Sequence, residues 1–360
     1  MSMPAGDLPE VFDPVSHGER AAAAYREQRS LYLEFAHCIK SVLDEALRGS
    51  DVKTQSVEAR AKTNSSFAKK AGLPHPLDPS RPKYEDPLDE IRDMAGVRVV
   101  TFLPGGVEQV GAAVEAQFEV VEQEDKFDRL SLEERFGYAS VHYLVRLKEN
   151  RTSLLEYRRF AGLIGEIQVR TILQHAWAEI EHDIEYKGAD SVAASVRRRF
   201  MAVAGLLEIA DREFQAIQEE VSRRRRVATE AVVKGLLHRA ELTSGALRSY
   251  LDTRLGPDRR YGESNYEVWV GVLRQLGFTS LQQVDDCIDG LDDTAISRAV
   301  WAPKKRPQLD RFEGLLLAGM GEYYIERHPS GARADFVLIR RRWLDRLVEH
   351  ALPVRSYRPR

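Results

Sequence analysis

Glu166-Ile167-Gln168-Val169-Arg170-Thr171, running on through Ile172 and Leu173 into Gln174-His175-Ala176-Trp177-Ala178-Glu179-Ile180-Glu181-His182-Asp183, is the stretch that decides how this chain is read. Its first residues alternate polar and aliphatic. A strand turns successive side chains to opposite faces, so Glu166, Gln168 and Arg170 share one face while Ile167 and Val169 point to a core. A carboxylate on such a face, beside a metal ion, can take a proton from a sugar hydroxyl. The period then becomes helical, which predicts a helix over 171–186. Glu181 and His182 on that helix either reinforce the strand's polar face or belong to a solvent-facing surface.

Three segments upstream have the same character. Residues 141–147 alternate as a half-buried strand does. Gly137-Tyr138-Ala139-Ser140-Val141-His142 leads into it. A glycine before an aromatic at a strand entrance lets a planar base approach, with Tyr138 as the stacking platform. Tyr138, Ser140 and His142 have one parity and so one face; the plainer reading is a core tyrosine and a satisfied histidine. In Asp93-Met94-Ala95-Gly96-Val97-Arg98-Val99-Val100, the β-branched run over 97–102 reads as a buried strand. Asp93 at its mouth suits Mg²⁺, which takes few carboxylates plus substrate phosphates, or caps a turn. Arg98 inside an apolar run needs a partner, and its flat guanidinium pairs with phosphate or stacks on adenine. Arg60-Ala61-Lys62 puts two cations on one strand face, and Ser66 and Lys70 follow at the start of a short helix, 65–71, whose N–H groups favour anions. That cluster suits a polyphosphate, or is an ordinary exposed basic surface.

Around these segments, residues 1–16 read as a disordered arm. Residues 17–48 carry helical apolar spacing stopped by Gly49-Ser50-Asp51, and 72–87 are a proline-rich loop. Strands are expected over 52–62, 118–121 and 164–169, with a helix from the Pro104 turn to about 117. The order implies an α+β, α/β-like domain with one mixed sheet flanked by helices. A long helical region, 191–223, ends in Arg223 to Arg226, either a solvated face or a neighbour of phosphate. The expected boundary follows it, giving a first domain over 17–225 and a mainly helical domain over 226–360. In the latter, Tyr266, Trp269, Trp301, Tyr323, Tyr324 and Trp343 read as core.

Composition narrows the function. The formal net charge is −3, from 53 basic and 56 acidic side chains, which argues against coating nucleic acid. The two cysteines, Cys38 and Cys287, match no metal spacing and read as free thiols in a reducing compartment. No stretch approaches the roughly 18 apolar residues of a membrane span, and residues 1–10 lack a secretory apolar run. A cytoplasmic location with no membrane partner is expected.

The ordered set Arg60-x-Lys62, Asp93-x-x-Gly96-x-Arg98, Gly137-Tyr138-x-Ser140-x-His142 and Glu166-x-Gln168-x-Arg170-Thr171 resembles the RelA/SpoT synthetase domain. The tail Trp177-Ala178-x-x-Glu181-His182, ending at Tyr186-Lys187, is similar to that of the small alarmone synthetases. The resemblance covers about residues 18–220. It implies a nucleotidyltransferase-like synthetase fold and transfer of the β,γ-pyrophosphate of ATP to the ribose 3′-oxygen of GDP or GTP, giving (p)ppGpp. It implies that Arg60 and Arg98 sandwich the adenine. Lys62, Ser66 and Lys70 hold the ATP phosphates, Asp93 binds Mg²⁺, and Glu166 contacts the metal and activates the hydroxyl. Tyr138 stacks on the acceptor guanine, with His142, Gln168 and Arg170 on the acceptor side and Glu181 and His182 in support. A homo-oligomer is implied by analogy. His182-Asp183 alone lacks the further ligands of a metal hydrolase, so no alarmone hydrolysis is expected. Residues 226–360 lie outside the resemblance, and a regulatory or oligomerising role is expected there. Two other functions fit the same residues: a toxic relative that pyrophosphorylates adenosine nucleotides or tRNA 3′ ends, with the C-terminal region as fused inhibitor, and a nucleotide-binding regulator without turnover.

Overall fold

The structure, a computed structural model, describes residues 12–50, 52–125, 140–187, 194–257, 260–301 and 306–359. By internal packing the chain divides into two units, residues 1–216 and 217–360.

The first unit is built on a long helix and a mixed sheet. Helix α1, Pro14–Arg48, starts where the Asp13 carboxylate caps Ser16 N–H, with proline at its first position, and it stops at Gly49. Its buried face carries Tyr25, Phe35, Ala36, Ile39 and Leu43. Strand β1 (Thr54–Ala61), helix α2 (Asn64–Ala71), one turn α3 (Pro87–Glu90), strand β2 (Ala95–Thr101), helix α4 (Pro104–Gln117) and strands β3 (Phe118–Asp125), β4 (Val141–Leu147) and β5 (Gly165–Thr171) follow, with a single turn, α5 (Glu149–Thr152), before β5. The sheet order is β1-β2-β5-β4-β3. β2 and β5 run parallel and the other pairs antiparallel.

One face of the sheet is apolar. Val97, Val99, Val145, Ile167 and Val169 are at most 1% exposed, and α1 and α4 pack over this side. The fit is close at Gly165, where a Cβ would stand 2.5 Å from the Ile39 methyl. Beyond β5 come α6 (Ile172–Lys187) and α7 (Ala194–Val233). Trp177 of α6 packs against Phe200 of α7, with ring centroids 5.0 Å apart. The middle of α7 is tied to β5 and α4: the buried Thr171 hydroxyl donates to Asp211 (2.7 Å), and Gly105 N–H donates to Gln215 (3.1 Å).

The second unit is helical: α8 (Ser244–Leu255), α9 (Glu263–Gln275), α10 (Leu281–Ile288), α11 (Asp293–Trp301), α12 (Gln308–Met320), α13 (Glu322–Arg327) and α14 (Ala334–Glu349). Its core centres on Tyr266, Phe278, Phe312 and Tyr324, with Trp269, Trp301, Tyr323 and Trp343 packed against it. The fully buried Gln308 accepts from Tyr266 Oη (2.6 Å) and donates to Gly256 O (2.8 Å), so its amide is satisfied. The last residues lie along α12: Arg355 and Tyr357 N–H groups donate to Ala318 and Gly319 carbonyls.

Two boundaries differ from the sequence reading. Residues 1–11 of the expected arm lie outside the described residues, but Pro14 to Ser16 already form the first turn of α1, because Asp13 supplies the cap. The division between units falls at Ala216/Ile217 rather than after Arg225, inside α7, where no turn residue marks it. Arg223 and Arg224 are exposed and pair with Glu220 one turn earlier on the same helix, the solvated-face reading. Cys38 and Cys287 are free thiols. Among the described residues no helix is long and apolar enough to cross a membrane.

Candidate active site

The other face of the sheet is polar, and strand register aligns its residues in rows. Arg60, Gly96, Glu166 and Leu144 are successive register partners across β1, β2, β5 and β4; Glu58, Arg98, Gln168 and His142 form the next row. Register partners share a face, so the four motifs converge although up to 106 positions separate Arg60 from Glu166. The first, second and fourth motifs border a cleft of about 170 Å³ lined by Arg60, Lys62, Ser66, Asp93, Arg98, Glu166 and Gln168, with Gly96 in its wall. Arg60 lies across Gly96, with its side chain 3.7 Å from where a Cβ would stand, an ordinary contact.

At one end Asp93 is held between two ammonium groups. Its Oδ2 accepts from Lys62 (2.7 Å) and Lys70 (2.9 Å). Burial pushes this carboxyl up, but the two lysines outweigh burial and hold it below the ordinary carboxylate value. Lys62 is placed from below, since Tyr25 Oη and Arg29 Nε of α1 both donate to its carbonyl oxygen. Thr63 caps α2 by accepting from Ser66 N–H (3.1 Å) and donates its own hydroxyl to Ser66 Oγ (2.8 Å). Ser66 therefore lines the cleft in the first turn of α2, where the helix dipole favours negative charge.

At the other end Glu166 is fixed by its neighbours. His142 Nδ1 lies 2.7 Å from Glu166 Oε1, and Gln168 Nε2 donates to Oε2 at 2.7 Å. Burial raises the Glu166 carboxyl, but these hydrogen bonds bring it below the ordinary range. An ionised carboxylate only accepts, so His142 carries its proton on Nδ1, leaving Nε2 to accept from the Ser140 hydroxyl at 2.7 Å. Glu166 thus faces the cleft as an oriented anion.

Of the other expected residues, Arg170 is on the polar face but deep, 6% exposed, beside Arg98. Tyr138 lies outside the described residues. Glu181 and His182 are not in the cleft lining; an α6 carboxylate that reaches Arg98 is that of Glu179, 3.0 Å from its Nη1. Glu179 has a sequence signal of its own: it stands four residues after His175, on one helix face. The placing roles of Tyr25, Arg29 and Thr63 were also not read from the sequence; only the cap, a threonine three residues before Ser66, has a legible pattern.

The donor set suits Mg²⁺. Asp93 Oδ1 is buried and makes no hydrogen bond in the structure, and Asp93 and Glu166 feel each other's charge. Among the described residues no group of three His, Cys, Asp or Glu could hold a metal ion alone.

Residues 59–191 match the family model described as "Region found in RelA / SpoT proteins". The chain is 29% identical over 133 residues to the GTP pyrophosphokinase YwaC of Bacillus subtilis (strain 168), a match over 37% of this chain and 60% of that protein. It is 29% identical over 140 residues to YjbM, another GTP pyrophosphokinase of that strain, over 38% and 63% of the two lengths. The chain thus spans about 60% of the length of these curated relatives. Among solved structures, it is similar to small alarmone synthetase 1 from Bacillus subtilis bound to its product pppGpp, with 23% identity, a TM-score of 0.45, and coverage of 56% of this chain and 99% of that one. It is likewise similar to a GTP pyrophosphokinase family protein from Streptococcus pneumoniae, with 20% identity, a TM-score of 0.44, and coverage of 56% and 95%.

Proposed function

With residues 59–191 a RelA/SpoT domain, we propose that this chain is a pyrophosphokinase that moves the β,γ-pyrophosphate of ATP to the ribose 3′-hydroxyl of GDP or GTP, giving (p)ppGpp. One observation carries the reading: an oriented carboxylate, Glu166, faces the same cleft as the Lys62–Asp93–Lys70 cluster. A proton acceptor beside a phosphate-binding cluster is what such a transfer requires.

The 3′-oxygen attacks the β-phosphorus of ATP. The bond from that phosphorus to the α,β-bridging oxygen breaks, and AMP leaves with its electron pair. The hydroxyl proton goes to Glu166, which is ionised at neutral pH and aimed by His142 and Gln168. Lys62, Lys70 and Ser66 hold the phosphates, and Arg60 and Arg98 hold the adenine between their planes. Tyr138, Gln168 and Arg170 serve the acceptor. Asp93 and Glu166 are the residues that would hold Mg²⁺, and the ion would there supply charge neutralisation and acidify the hydroxyl. The protein's own contribution is alignment and fixed charge, as in phosphoryl transfers generally.

The test is thin-layer chromatography of ATP labelled at the γ-phosphate, incubated with Mg²⁺ and, in parallel, GDP, GTP, AMP or bulk tRNA. Label moves to GDP or GTP, and Glu166→Gln lowers the rate by at least about 100-fold. Label moving only to AMP or tRNA contradicts the acceptor assignment, and tight ATP binding with no transfer contradicts turnover.

A further inference from the structure

On the polar face two guanidiniums lie together, Arg98 in the cleft lining and Arg170 near it. Arg98 and Arg170 side chains are 17% and 8% exposed. The Nε of each is buried and makes no hydrogen bond in the structure. Burial, and next the charge of Arg98, bring Arg170 down to about 10. Glu179 Oε1 reaches into this pair: it stands 3.0 Å from Arg98 Nη1, 3.5 Å from Arg170 Nη2 and 3.6 Å from His175 Nδ1. Glu179 itself is 56% exposed, so its own burial does not force the contact.

Arg98 has a second same-face carboxylate within reach. Glu58 of β1 is its direct register partner, and cross-strand partners have Cβ atoms about 5 Å apart. The two acids approach from different elements, β1 and the helix after β5. Which of them holds the guanidinium sets the plane it shows to the cleft. We propose that Glu179 is a positioning residue for ATP: by holding Arg98 at its Nη1 edge it leaves the guanidinium face, rather than the hydrogen-bonding edge, to the cleft, so that Arg98 binds the nucleobase and not the phosphates. The inference rests on the cleft being the ATP site. Without Glu179 the guanidinium turns toward Glu58, and the base loses its platform while Lys62 and Lys70 keep the phosphates.

The test compares wild type, Glu179→Ala and Glu179→Gln in the full chain, titrated by calorimetry with ATP and with inorganic tripolyphosphate. Glu179→Ala weakens ATP roughly three- to ten-fold, the scale of one partly exposed ion pair, and leaves tripolyphosphate unchanged. Glu179→Gln retains an oxygen for Arg98 and falls between Glu179→Ala and wild type. In steady state the KM for ATP rises while kcat stays within about two-fold, the pattern of lost uniform binding. Equal weakening of tripolyphosphate, or unchanged ATP affinity, overturns the proposal. Alanine is the stronger helix former at an exposed site, and should Glu179→Ala fail to fold, the Glu179→Gln titrations decide. A wild type that binds ATP but transfers nothing contradicts the pyrophosphokinase reading, and the affinity comparison still decides the role of Glu179.

Discussion

Asp93 shows how single side chains set the chemistry here. Its carboxylate is caught between Lys62 and Lys70, and the lysines lower its titration despite burial. A carboxyl lowered on folding stabilises the native state at all pH above its ordinary value of 3.8, and that stabilisation is lost as pH falls through the lower, folded value. Asp93→Asn therefore costs about 2 kcal/mol at neutral pH, where it leaves two ammonium groups without their anion. The gap to wild type narrows once pH falls below 3.8, as the unfolded chain takes up the proton first, and it closes only as pH falls through the lower, folded value. Thermal melts at pH 7 and pH 3 read the difference; a gap that is constant with pH contradicts the ion-pair account. At this scale the strand residues were legible, because a two-residue period fixes the face: Glu166, Gln168 and Arg170 fall together as their parity required. Glu179 of α6 was not legible, because the sequence does not state which angle of a helix meets the sheet.

Between elements, close backbone approaches hold the phosphate side in place. A Cβ on Gly18 of α1 would stand 2.4 Å from the Ala68 carbonyl oxygen of α2. A backbone atom cannot swing aside as a side chain does, so Gly18→Ala drives the two helices apart. The cost is roughly 1–3 kcal/mol, and because α2 carries Ser66 and Lys70, the KM for ATP rises too. Gly205, exposed on α7 with open space around its Cα, is the matched control: Gly205→Ala raises the melting temperature, since the helix loses a conformationally costly glycine. Equal melting shifts for the two variants contradict the packing argument. Which elements exist was readable from periodicity and caps, and α1, α2, α4 and β4 lie within a few residues of expectation. β3 runs on to Asp125, past the expected 121, because its polar residues pair with β4 and need no apolar signal. The strand order was not readable. The parallel pairing of β2 with β5, which brings Gly96 beside Glu166, is a contact between segments about 70 residues apart and leaves no local trace.

Across the whole molecule, two cores form separately. That of the second unit begins at Ala228 and closes with Tyr357, so residues 217–360 expressed alone should fold cooperatively with a helical circular-dichroism spectrum; a non-cooperative melt contradicts an independent core. The existence of a helical second domain was legible from its apolar spacing. Its border was not, because a continuous helix crosses it and no proline, glycine or loop marks the place. The account as a whole stands on one bond, the one broken in ATP. Phosphorus NMR of ATP, GDP and Mg²⁺ with the full chain measures that directly. The account predicts AMP and a guanosine nucleotide bearing a new 3′-pyrophosphate in equal amounts, absent with Glu166→Gln. ADP with inorganic phosphate, or ATP unchanged at saturating protein, would contradict it.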